Sequence, residues 1–229
     1  MVFLVFNSRH SQELWLYSLN DNLEKQISAV YHSIFDKQSE WAKGTVSDFG
    51  EVVGGATPSK DVEEYFCNNG IVWLKPKDLT ATGKKFIYKG ETDITDAAYR
   101  SCSTKIMPEG SVLLTSRAPV GCVAIAMTEL CTNQGFKSVV PKKDIGTAFV
   151  YYFFKENRQL LENYSSGTTF MEISGSVLKG IPVSIPPKDL TLKFSELCKP
   201  IFAHQQKVET EIDQLTELQR NIVAQMSSR

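Results

Sequence analysis

Apolar positions change their period twice along the chain. From about residue 13 to residue 38, Leu16, Leu19, Leu23, Ile27, Val30 and Ile34 recur in alternating steps of three and four, the spacing of a helix with a narrow apolar stripe. Asn20 and Asp21 fall inside it, either as an interruption or as the N-cap of a shorter helix. From residue 189 onward, Phe194, Ile201, Val208, Leu215 and Ile222 repeat every seven residues, with Leu197 and Leu218 at a companion position three residues later. Ile212 and Met226 widen this stripe, while His204, Glu211 and Gln225 occupy the companion position and weaken it. A sustained heptad keeps one seam against a partner helix, so a coiled coil is expected. Pro200 predicts either a kink or a long helix that restarts with the proline in its first turn.

Between these helices the pattern shortens. Ile71-Val72-Trp73-Leu74, Ser111 to Leu114, Gly121 to Ala126 and Lys137 to Val140 are β-rich runs, bounded by turn signals such as Asn68-Asn69-Gly70, Pro108-Glu109-Gly110 and Ala118-Pro119. One helix is expected over residues 146–164, with Gly167 as its cap, and Ile181-Pro182-Val183-Ser184-Ile185-Pro186-Pro187 reads as an extended exit. The predicted class is α+β: an N-terminal helical region over 1–40, a mixed globule over 41–187, and a C-terminal coiled-coil helix over 188–229.

Composition narrows the functions available. The 229 residues are 42% hydrophobic and 22% charged, in the normal globular range. Lys+Arg 25 against Asp+Glu 26 gives net charge -1, so any hold on nucleic acid must come from local patches. No window approaches a membrane span, and the opening Met1 to Phe6 run is short, with no basic residue before it, unlike a secretion signal. Five cysteines at irregular spacing form no C-x-x-C pair, and the histidines are His10, His32 and His204. Neither pattern suits zinc, and the thiols read as reduced, mostly buried and cytoplasmic.

No catalytic constellation stands out. The globule lacks a histidine for a hydrolytic triad, and no acidic residue is followed two places later by lysine, as common metal-dependent nucleases require. A P-loop and a G-x-G-x-x-G turn are missing, so no cofactor or metal is expected. Binding is easier to place. Lys75, Lys77, Lys84, Lys85 and Lys89, opposed in that run by Asp78 and interleaved with Trp73, Phe86 and Tyr88, could neutralise phosphates. Ser116 and Arg117 follow an apolar strand, where a guanidinium can clamp phosphate or read guanine. Thr168 and Thr169 add hydroxyls beyond the helix ending near Tyr164.

These pieces line up in order. Gly54-Gly55-Ala56-Thr57-Pro58-Ser59, Trp73-Leu74-Lys75-Pro76-Lys77-Asp78-Leu79 and Leu114-Thr115-Ser116-Arg117-Ala118-Pro119-Val120-Gly121 are followed by Thr132-Asn133-Gln134-Gly135-Phe136, Ser166-Gly167-Thr168-Thr169 and the proline-rich exit. From about Leu19 to the end, the chain resembles the DNA-specificity subunit of type I restriction-modification enzymes, in one target-recognition domain with its helical flanks. The resemblance implies a non-catalytic reader of double-stranded DNA, with antiparallel helices and with methyltransferase and restriction subunits as partners. Because one recognition domain is present where the family has two, it further implies either half of a longer subunit or a half that pairs with a copy of itself as a homodimer. On that view Lys75, Lys77, Lys84 and Lys85 contact phosphate, Ser116 and Arg117 lie nearer the bases, and Thr168 and Thr169 contribute secondarily. Gly54, Gly55 and Pro58 shape a turn. A straight helix from Pro200 to Ser227 would extend roughly 40 Å, close to one turn of DNA at about 34–36 Å, which suits a spacer. The rival reading is a protein-interaction adaptor whose coiled coil is the working surface and whose globule reads no DNA.

Overall fold

The computed structural model describes residues 2–36, 41–117, 119–167 and 171–227. It comprises two compact units, Met1–Asp36 with Glu196–Arg229, and Lys37–Ser195. The first helix, α1 (Val2–Phe35), runs through Asn20 and Asp21 without interruption.

In the second unit the order is β1 (Ala42–Thr45), β2 (Gly50–Gly54), β3 (Phe66–Cys67), β4 (Ile71–Leu74), α2 (Pro76–Thr80), β5 (Phe86–Ile87), β6 (Thr92–Ile94) and α3 (Asp96–Ser101). There follow β7 (Val112–Leu114), β8 (Val123–Ala126), β9 (Cys131–Thr132), β10 (Lys137–Pro141), α4 (Thr147–Glu156), α5 (Arg158–Asn163), α6 (Gly175–Gly180), β11 (Pro182–Ile185) and α7 (Lys188–Ser227). The strands form a five-stranded mixed sheet ordered β2-β10-β7-β8-β5, a four-stranded sheet ordered β3-β6-β4-β9, and the pair β1-β11. The β1-β11 pair sets the proline-rich exit antiparallel to the segment where the globule begins, Ala42 opposite Ile185.

Apolar clusters among the described residues support this arrangement. Val53, Leu74, Leu79, Leu113, Ala124, Leu130 and Phe136 fill one; Trp73, Ile94, Ala98 and Cys131 fill another, with Phe66 and Ile71 against it. Seven consecutive buried residues of α4, Ala148 to Phe154, are covered all round, the sign of a helix inside a core. Phe49 packs edge-on against Phe149 and Phe153, its ring centroid 5.1 and 4.9 Å from theirs.

Local chemistry sets the helix boundaries. Pro76 opens α2 and the Asp78 carboxylate accepts the Lys75 N–H at 2.7 Å. Thr95 and Ser174 cap α3 and α6 through Ala98 N–H and Val177 N–H. The single helix expected over 146–164 is two, divided at Asn157 (φ -108°, ψ 34°), whose side-chain amide donates to the Phe153 carbonyl at 2.9 Å. An asparagine that bonds its own backbone competes with the helix. Gly167 is not the cap: α5 ends at Asn163, and Ser165 closes its last turn by donating to the Leu161 carbonyl at 2.9 Å.

In the other unit α1 and the later part of α7 form an antiparallel pair. Gln219 donates to Glu13 and Gln205 to Glu24, so one helix number rises as the other falls, and Gln12 adds a bond to Glu211. Leu16, Val208 and Ile212 are its buried centre, flanked by Leu19 and Leu215. The heptad anchor holds, but the companion position lies four residues after it, not three. Gln205 and Ile212 are buried, whereas Leu197 and Leu218 are 47% and 42% exposed, and His204, Glu211 and Gln225 are exposed. α7 passes through Pro200 without a break; the proline has no N–H for the Glu196 carbonyl.

Candidate nucleic-acid interface

The turn Thr132 to Phe136 gathers the scattered motifs. It is shaped by Asn133, whose side-chain oxygen accepts the Gly135 N–H at 2.8 Å. From the Trp73 motif, the Leu74 carbonyl accepts the Asn133 N–H at 2.9 Å, while the Thr132 carbonyl accepts the Ala56 N–H at 3.0 Å. Thr57 donates to the Gln134 side chain. The Gly135 carbonyl accepts the Ser116 N–H at 2.8 Å, and the Ser116 carbonyl accepts Ile173 N–H at 3.0 Å. Ser166 and Glu172 exchange both backbone bonds at 3.0 Å, and Glu172 bridges Arg117 on its other side. Three sequence segments thus bond to one turn, and a fourth, carrying Ser166 to Ile173, joins them through Ser116. Gly55 is required here: a Cβ would lie 2.1 Å from the Thr132 carbonyl oxygen and 2.2 Å from that of Asn133.

The predicted contact residues separate on this frame. Lys75 is half-buried at the start of α2, its Nζ 3.0 Å from Glu91 Oε2; Lys77, more exposed, lies 4.0 Å from the same oxygen. The acid that answers the two lysines is Glu91, since Asp78 spends both oxygens on the backbone N–H groups of Lys75 and Glu91. Lys84 is half-buried. Lys85 is 6% exposed, donates to the Tyr152 hydroxyl at 3.0 Å and lies 5.0 Å from the Tyr151 ring centroid, so it belongs to the interior and leaves the phosphate-contact set. Trp73 and Phe86 are core residues, and Tyr88 alone of the three interleaved aromatics is exposed.

Ser116 is fully buried and its hydroxyl lacks a hydrogen-bond partner, so it lies too deep for a base edge. Arg117 remains half-exposed, its guanidinium 3.9 Å from Glu172. Thr168 and Thr169 lie outside the described residues. Thr115 organises its own loop, donating to the Pro119 carbonyl at 2.6 Å and accepting the Cys122 N–H at 2.9 Å.

Two residues of this rim escaped the sequence reading. Lys137, opposite Gly54 in β10, donates to the carbonyls of Gln134 and Phe136 at 3.2 Å. Burial pushes its ammonium below the usual lysine range; Glu172 counters that shift and Arg117 adds to it. The Glu172 carboxylate lies 3.9 Å from the Arg117 guanidinium, and its charge is also felt at Lys137. Neither it nor Glu91 sits in a motif, and no local pattern could have found them. Lys137 carried a weak signal, the one cation at the head of the β-rich run Lys137-Ser138-Val139-Val140. The Glu91 carboxyl is held below the usual range by the Lys75 hydrogen bond and then by the charges of Lys75 and Lys77.

Among the described residues no group of three or more His, Cys, Asp or Glu could hold a metal. The cysteines are free; Cys131 and Cys198 are buried and Cys67, Cys102 and Cys122 half-buried. Burial pushes the Cys131 thiol up to about 12. Among the described residues no helix is long and apolar enough to cross a membrane.

The fold has solved counterparts. The crystal structure of the S subunit from M. genitalium matches over 96% of this chain and 57% of that one, with TM-score 0.65 at 13% identity. The HsdS subunit from Thermoanaerobacter tengcongensis matches over 96% and 54%, with TM-score 0.58 at 16% identity. The chain belongs to the family described as the type I restriction modification DNA specificity domain, whose model matches residues 38–221. It is 43% identical over 149 residues to the type I restriction enzyme MjaIX specificity subunit of Methanocaldococcus jannaschii, covering 64% of this chain and 34% of that protein. It is 25% identical over 181 residues to the HindI specificity subunit of Haemophilus influenzae, covering 78% and 39%. The chain thus spans little more than a third of these curated relatives and somewhat over half of the solved subunits.

Proposed function

We propose that the globule reads one half of a split double-stranded DNA site without performing chemistry itself, and that it does so in the cytoplasm. The helix pair carries the spacing to a second recognition domain, on the same chain or on a copy joined through the helices, and docks methyltransferase and restriction subunits. The observation that carries this reading is the convergence of three sequence segments on the Thr132 to Phe136 turn, with a fourth joined through Ser116, and with Lys75, Lys77, Arg117 and Lys137 on those segments or beside the turn. Cations on a rigid backbone frame can neutralise phosphates, while a guanidinium at the rim can pair with guanine.

The test is selection of double-stranded oligonucleotides from a random pool by the chain assembled with methyltransferase subunits. A short half-site motif should be enriched. Lys77→Glu should weaken binding to all duplexes alike and flatten the salt slope by about one phosphate equivalent. Arg117→Ala should relax discrimination at one position, costing about 1–3 kcal/mol there. If no sequence is enriched, the globule is no reader, and the chain acts as an adaptor through its helices.

A further inference from the structure

Specificity requires something that rejects wrong partners as well as something that welcomes the right one. Around the Thr132 to Phe136 turn, Glu91 lies beside Lys75 and Lys77, and Glu172 lies beside Arg117. The two acids differ. Glu91 sits at the surface with flexible lysines. Glu172 is half-buried, and its backbone is fixed from both sides, by Ser166 through a reciprocal pair of bonds and by the bridge to Arg117. Its neighbour Ile173 is fully buried and bonded to the Ser116 carbonyl. Main-chain bonds therefore hold the position, and the side chain is not needed to make the fold. What the side chain adds is one negative charge 3.9 Å from the Arg117 guanidinium.

A carboxylate and a phosphate compete for the same face of a guanidinium. A phosphate arriving without base contacts would displace Glu172 and face its like charge, gaining little. Guanine acceptors bring no charge and can take the guanidinium bidentately. We infer that Glu172 is a specificity-determining residue: its carboxylate occupies Arg117, screens it from non-cognate phosphate, and yields it where base-edge acceptors replace it. This rests on the DNA-reading proposed above.

The experiment uses the full chain with its methyltransferase subunits, one duplex enriched in the selection, and a scrambled duplex of equal length and composition. Glu172→Gln keeps shape and removes the charge. It should tighten the scrambled duplex about tenfold, within the range of one bidentate base contact, and leave the enriched duplex within about twofold. The salt slope on the scrambled duplex should steepen by about 0.9, one further phosphate. Glu91→Gln should instead tighten both duplexes alike. In an Arg117→Ala background, Glu172→Gln should lose most of its effect on the ratio. Equal tightening of both duplexes by Glu172→Gln, or none, overturns the inference while leaving DNA reading intact. Failure of the unaltered protein to prefer any duplex sinks the reading itself.

Discussion

Lys85 shows how far a residue's chemistry depends on what surrounds it. In sequence it belongs to a run of lysines; in the fold its ammonium is enclosed by Tyr151, Tyr152 and Phe86 and bonded to the Tyr152 hydroxyl. Replacing it with alanine removes a cation–π contact and leaves a buried hydroxyl without that donor, a loss of about 2 kcal/mol. The expected outcome is a lower denaturant midpoint for Lys85→Ala with the DNA salt slope unchanged, the reverse of the pattern expected for Lys77→Glu. The difference between the two lysines was not legible in the sequence, because the aromatic wall comes from α4, far along the chain. Ser116 was obscured for the same reason: its neighbours Gly135 and Ile173 reach it from later segments. Arg117 could be singled out, since an arginine just beyond an apolar strand is exposed by the strand's end.

At the level of elements, periodic patterns carried most of the information. The four β-rich runs all became strands, and the extended exit became β11. Heptad anchors Val208 and Leu215 do face α1, yet the phase of their companions was misread. Leu197 and Leu218 attract attention as leucines, while Gln205, polar but buried, holds the seam by donating to Glu24. Hydrophobicity alone cannot reveal a buried amide whose partner lies on another helix. The phase is directly testable: Ile212→Ala should cost about 2–4 kcal/mol, whereas Leu218→Ala should stay within about 0.5 kcal/mol. Chemical denaturation of each variant measures this, and similar losses at both sites would reject the assignment. Elements lacking a strong period, such as β1, α3 and α6, depend on long-range pairing or on single capping residues, so the sequence did not announce them.

On the scale of the whole molecule, the order of the motifs was readable before any coordinates, and their meeting point was not. Sequence order placed the family; the register of the sheets and the bonds around one turn placed the site. If the helix pair sets the distance between half-sites, adding one heptad to both α1 and α7 should lengthen it by about 10 Å, or about three base pairs. Selection with the extended chain would then recover the same half-site letters with a longer gap; an unchanged gap would remove the helices from that role. The frame around Thr132 to Phe136 has one more implication. Leu74, Ala56, Gly135, Ser116 and Ile173 are stitched together mainly by amide-to-carbonyl bonds, which any residue other than proline can make. Such a chassis is blind to the lettering hung on it, so apart from Gly55 and Asn133, which shape it, neighbouring side chains can be exchanged without dismantling it.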